Sequence, residues 1–239
     1  MALKNIKPLR LKTKNYQQVA VIEIILIFFI LIMGDVATAL NEAYADKIVT
    51  GVLLILEIFY LLLLVQLAGF LSPNKRIINL LKLAVGTIFL LSFIALNPFF
   101  TIVSDLKPWL IAVHLILCAL ECFVIALGLM DIYSDNLRIT ERLWGSVAVY
   151  LLIALGWGSF YEIFVLIDPM SLGVTLTAGY QTYSESLYFS LCSISGSSSA
   201  YTNPSHLIRN LSLVESVWGV LFLVMLIGGL FTLPSPNRD

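Results

Sequence analysis

The sequence predicts an all-α integral membrane protein, with six transmembrane helices and one shorter helix that enters the membrane without crossing it. Hydrophobic residues are 59% of the 239 and charged residues 12%, and mean hydropathy is +0.96. Soluble domains are nearer 45–50% apolar and about 25% charged. The apolar residues also gather into six runs, at roughly 18–40, 49–71, 77–97, 108–131, 144–167 and 211–233. Each approaches the ~20 residues that a helix needs to cross the hydrocarbon core. The alternation of a membrane β-strand is absent, and only helices or closed barrels satisfy the backbone in lipid.

The first run follows a basic tail, residues 1–17, as a secretory signal would. Its apolar stretch is long for a signal, and Glu23 and Asp35 interrupt it. It is read as a retained helix. The basic residues then set the orientation. Eleven lie in the N-terminal tail, the second–third and fourth–fifth connections and the C-terminal tail: Lys4, Lys7, Arg10, Lys12, Lys14, Lys75, Arg76, Lys82, Arg138, Arg142 and Arg238. The alternate connections carry only Lys47, Lys107 and Arg209. The positive-inside rule makes both termini cytoplasmic, and the expected location is the plasma (inner) membrane.

The connection between the fifth and sixth runs is the long one, about 40 residues, and it holds its own apolar stretch "SLYFSLCSI" at 186–194. That piece is too short to span and reads as a re-entrant helix, tolerated at membrane depth only where protein or water surrounds it. A four-helix domain, 18–135, is expected before a second domain, 140–235. No soluble module is expected beyond the last run.

Residues 188–204 read "YFSLCSISGSSSAYTNP". Tyr188, Phe189, Ser190, Pro204, Arg209, Glu215 and Gly219 fall at spacings that resemble the pore domain of potassium channels, whose pattern is YFSxxTxTTVGYGDxxP followed by R, E and G. The resemblance covers about 145–233, and the first four helices are similar to the peripheral set of voltage-gated-channel-like subunits in count and orientation only. It implies a homotetramer whose central pore is built from the fifth helix, a pore helix, a filter segment and the sixth helix. Glu215 then ties the last helix to its neighbour or to the pore helix, and Arg209 partners the outer mouth or Glu215.

At the filter position the family has TVGYG and this chain has Gly196, Ser197, Ser198, Ser199 and Ala200, with Tyr201 replacing the acid that follows. A potassium filter replaces the ion's hydration shell with backbone carbonyls, and glycine supplies its left-handed positions. Those positions here hold Ser198 and Ala200. A left-handed non-glycine residue costs about 1 kcal/mol or more, so two in each of four subunits cost roughly 8 kcal/mol. The segment is therefore not expected to form a potassium-type filter. Its hydroxyls, donors and acceptors alike, suit a wider, wetter mouth. No charge lies between Glu185 and Arg209, so charge selection is weak, and the pore helix's C-terminal dipole leans it toward cations.

Other constellations carry less. The fourth run lacks the repeated arginines of a voltage sensor. It does hold His114, Cys118, Glu121 and Cys122 near one face, types that ligate zinc or haem iron. The plainer reading packs the cysteines as small apolar groups and bonds His114 to a neighbouring helix. Glu23, Glu57 and Glu121 are intramembrane acids, functional by default, with no lysine or arginine deep in any span to pair with them. Gly219, Gly228 and Gly229 are candidates for close helix packing, and Gly228 and Gly229 also for a gating hinge.

No phosphate loop, HExxH or nucleophile–base pair is present, so no enzyme and no cofactor is expected. Neither does a net charge of −1 give a footprint for nucleic acid. The expected function is an ion-channel pore subunit, passing cations with weak selectivity, with lipid, inorganic ions and copies of itself as partners. A non-conducting structural or regulatory relative and a membrane metal or redox protein are the alternatives.

Overall fold

The computed structural model describes residues 6–39, 42–72, 74–97, 102–134, 137–197, 199, 201 and 203–231. Every element among them is helical: α1 (Ile6–Ala39), α2 (Glu42–Leu71), α3 (Lys75–Ala95), α4 (Lys107–Ile132), α5 (Ile139–Ile167), α6 (Tyr180–Ser195) and α7 (His206–Phe231). All but α6 are long and apolar enough to cross a membrane. These six coincide with the six apolar runs, so the protein is an all-helical integral membrane protein.

The differences lie at the ends. The basic tail is expected to precede the first helix, yet α1 is helical from Ile6, because a helix continues into water where its apolar stripe ends. Tyr16 anchors that extension, donating to Asp131 at 2.6 Å. Thr13 adds a longer bond to Glu141 at 3.3 Å. Similarly, α6 covers more than 186–194, because Thr182 and its neighbours add a polar first turn in which the Thr182 hydroxyl bonds the Gly179 carbonyl at 2.7 Å.

Local signals place the other ends. Asn74 caps α3 by accepting from the Arg76 amide at 3.0 Å, which satisfies one of the four orphan donors of a helix start. Glu141 accepts the Arg138 amide at 3.1 Å at the start of α5. At the far end of that helix, Lys107 donates to the Ile167 carbonyl at 3.1 Å. The α5–α6 connection folds back on the α6–α7 linker through a bond from the Ser205 amide to the Ser171 carbonyl, 2.8 Å. Gly173, at φ 86°, allows that approach, since a Cβ there would collide with the Asn203 carbonyl.

Helix α5 is the spine. It packs on α1, α4, α6 and α7. Its small residues set the spacings: a Cβ on Gly158 would sit 3.2 Å from Leu187 Cα of α6. One buried cluster runs from Tyr16, Leu61 and Leu64 through Leu120 and Val124 to Leu152, Leu155 and Leu187, joining α1–α4 to α5 and α6. In contrast, α7 buries a single stripe, Ile208, Glu215 and Phe222, while Val214, Val217, Trp218, Leu221 and Val224 stay exposed.

Candidate functional site

The residues of the "YFS" triplet each face a different partner. The Tyr188 ring meets Tyr201 edge-on at 6.0 Å. Phe189 is buried and meets Tyr161 of α5 edge-on at 5.0 Å. Ser190 Oγ lies 2.8 Å from the Ala154 carbonyl of α5 and 2.6 Å from Glu215 Oε1 of α7. Tyr161 completes the junction by donating to Glu215 Oε2 at 2.7 Å. Glu215 thus joins α7 to both α5 and α6, and all three members are buried.

Arg209 does not pair with Glu215. Six positions apart on one helix, the two are about 120° apart around its axis and face different ways. The exposed guanidinium contacts His206 Nδ1 at 3.0 Å instead. Gly219, one turn beyond Glu215, lies against the Ile194 carbonyl oxygen of α6, where a Cβ would overlap backbone. Around Gly228, by comparison, a Cβ would meet nothing within 4 Å among the described residues.

Gly196 ends α6. It takes the left-handed conformation, φ 71° and ψ 16°. Its amide bonds the Ser193 carbonyl at 3.1 Å, and the Ser197 amide bonds the Cys192 carbonyl at 2.9 Å. These are the paired bonds of a Schellman cap. Tyr150 of α5 adds a bond to the Ile194 carbonyl at 3.2 Å. The partial negative charge of a helix end resides on unsatisfied carbonyls, so this end holds less of it than the dipole argument expects. Ser198 and Ala200, on which the strain argument rests, lie outside the described residues.

Beyond the cap, Ser193, Ser197, Ser199, Asn210, Ser212 and Ser216 line an open depression of about 420 Å³ between α6 and α7. Gly196, Pro204 and Arg209 border it as well. Ser197 also accepts from Ser195 at 3.0 Å, and Ser199 donates to the Tyr201 carbonyl at 3.3 Å. Tyr201, at the position where the potassium-channel pattern has an acid, fits between Tyr188 and Phe189 and donates to Glu185. Burial first, and then that bond, push its phenol above the usual range.

The four α4 candidates do not converge. His114 Nε2 lies 2.9 Å from Glu162 Oε2 of α5. Cys118 points toward the Gly156 carbonyl at 3.9 Å. Glu121 accepts from Tyr60 of α2 and from Ser159 at 3.4 Å. Cys122 is exposed. Among the described residues no three His, Cys, Asp or Glu side chains gather into a metal-binding group.

Glu57 accepts from Ser92 of α3 at 2.5 Å, whereas both oxygens of the fully buried Glu23 have no hydrogen-bond partner among the described residues. Sequence reasoning passes over Glu162, though it lies inside the fifth apolar run and the rule that selects Glu23, Glu57 and Glu121 selects it equally. It also misses Tyr60, Ser92 and Thr182, whose hydroxyls bond those acids. Single hydroxyls within apolar runs give no signal until the helices are packed. The chain matches no family model, no curated protein and no solved structure.

Proposed function

We propose that this protein is the pore subunit of an ion channel, with α6 as a re-entrant pore helix and the Gly196–Ala200 segment in the position of a filter. One observation carries the reading. A helix of 16 residues, about 24 Å long, is too short to cross the ~30 Å hydrocarbon core. It is nevertheless locked to α5 and α7 by buried polar bonds through Ser190, Glu215 and Tyr161, and it ends in a serine-lined depression. Polar groups so placed in a membrane protein mark a wet pathway more readily than a lipid-facing surface.

The exposed apolar face of α7 suits contact with other copies around a central axis. Four copies would bring four depressions together into one mouth, and the apolar remainder of α7 would close it by dewetting. The hydroxyl lining favours weak selectivity, and cations are the expected permeant species. The distribution of basic residues supports cytoplasmic termini, and the plasma (inner) membrane is the proposed location. Two observations favour a second reading, of anion passage: Arg209 borders the depression with its charge exposed, and α6 ends with its carbonyls Cys192–Ile194 already bonded.

Purified protein in liposomes loaded with KCl tests conduction. Salt efflux that needs the protein, and that is blocked by a bulky substitution such as Ser197→Trp, is the expected result. Impermeable liposomes containing folded, oligomeric protein would point to a non-conducting relative.

A further inference from the structure

Away from the α6–α7 depression, a cavity of about 100 Å³ lies among α1–α6. Its wall is mostly aliphatic, with Leu26, Ile30, Leu53 and Val113 among its members. Glu57, His114 and Glu162 are set into this wall, beside Tyr60 and Tyr183. Among the described residues no lysine or arginine lines it. The three ionisable groups come from three different helices, α2, α4 and α5, and line the same cavity.

Its polar side is built to accept. Ser92 already donates to Glu57, and Tyr60 to Glu121. Two atoms stay buried without a hydrogen-bond partner among the described residues, His114 Nδ1 and Glu162 Oε2, on side chains whose residues are 8% and 2% exposed. The imidazole Nε2 is 2.9 Å from that carboxyl oxygen, but its N–H is not aligned on it. A buried polar atom left without a hydrogen bond is destabilising, so a ligand that donates hydrogen bonds gains by filling the site.

A primary ammonium group has three donors and no acceptor, and tyrosine rings attract cations. A bare metal ion fits poorly, because six or more oxygen ligands are usual for a hard divalent cation and no such group gathers among the described residues. Size narrows the choice further. An apolar cavity of about 150 Å³ holds benzene, so this one suits about four heavy atoms.

We propose that this cavity binds a small primary alkylammonium cation. Its ammonium head is held by Glu57 and Glu162. Its short carbon chain rests on the aliphatic wall.

Propylammonium chloride titrated into the purified full chain in detergent, at constant ionic strength, tests this by calorimetry and by the thermal midpoint. Saturable binding and a raised midpoint are expected, with neither from 1-propanol, the neutral analogue of the same size. Glu57→Gln and Glu162→Gln should each weaken binding about tenfold or more, the usual loss of a charge-assisted hydrogen bond. Leu53→Trp, which fills the cavity and keeps the acids, should abolish it. No saturable binding, equal binding of 1-propanol, or unchanged affinity in both glutamine variants would overturn the proposal. Conductance is read separately, so a conducting protein that ignores propylammonium refutes this site and not the pore.

Discussion

Ser190 Oγ of α6 lies 2.6 Å from Glu215 Oε1 of α7, and the same hydroxyl lies 2.8 Å from the Ala154 carbonyl of α5. A serine has one proton to donate. With that proton on the Ala154 carbonyl, a protonated Glu215 carboxyl would supply the proton of the second bond. Tyr161 supplies the third bond, into the other oxygen of Glu215. The short helix is thus fixed at its middle by a closed polar junction rather than by apolar contact alone.

That proton count predicts a ranking. An amide donates through nitrogen and accepts through oxygen, as the neutral carboxyl does, so Glu215→Gln should cost less than about 1 kcal/mol. Glu215→Ala strands Ser190 and Tyr161 and should cost about 1–3 kcal/mol. Thermal or denaturant unfolding in detergent checks the order, and a Gln variant as damaging as Ala would refute the proton assignment. A Ser190→Ala, Tyr161→Phe double-mutant cycle should show coupling, since both bond the same group.

The glycines of α7 are expected to behave oppositely. Gly219→Ala places a methyl on the Ile194 carbonyl, so α6 and α7 must part. An overpacking cost of about 1–3 kcal/mol is expected. Around Gly228 nothing among the described residues lies within 4 Å of an added Cβ. Gly228→Ala should therefore leave stability unchanged or raise it by up to ~1 kcal/mol, and a change in open probability without a change in stability would mark a hinge.

Arg209 should set the charge preference of the mouth. Removing its charge with Arg209→Gln should shift permeability toward cations, and Ser199→Asp, which adds a carboxylate to the same depression, should shift it further. Ion-permeability ratios from reversal potentials check both. Identical ratios in all three proteins would place the permeation path away from this depression.

Tyr201 gives a pH signature. Its phenol is raised in the folded state, by burial and then by its bond to Glu185, relative to ~10 when unfolded. Below pH ~10 both states keep the proton and stability is unaffected. Above it the unfolded chain ionises first, so stability falls as pH rises. Tyr201→Phe should flatten this alkaline decline relative to the unsubstituted protein, measured as thermal midpoint from pH 8 to 11. An unchanged slope would show that Tyr201 ionises freely in the folded protein.

How much of this is legible in the sequence follows from the range of each interaction. The six long helices are, because crossing lipid demands about twenty apolar residues and composition alone records them. The start of α1 at Ile6 is not, since polar residues are as compatible with a helix in water as with a tail. A tie from Glu215 to its neighbour or to the short helix is what the potassium-channel resemblance implies, and the bond to Ser190 is of that kind. Its third member, Tyr161, needs the α5–α7 crossing to be known. Gly196 illustrates a true ambiguity: a glycine after a short helix serves a filter turn and a Schellman cap equally, and only its φ and the Cys192 and Ser193 carbonyls separate them. Arg209 misleads because charge complementarity on one helix suggests Glu215, while helical phase turns the two apart.

The measurement that bears most directly on the central claim is the reversal potential of the purified protein in a planar bilayer under a KCl gradient, repeated with sodium in place of potassium. A potential displaced toward the cation equilibrium value, and little changed by sodium, is the predicted result. Displacement toward chloride would keep the pore and assign its selectivity to Arg209. Strong preference for potassium over sodium, or no current from protein shown to be folded and oligomeric, would contradict the account.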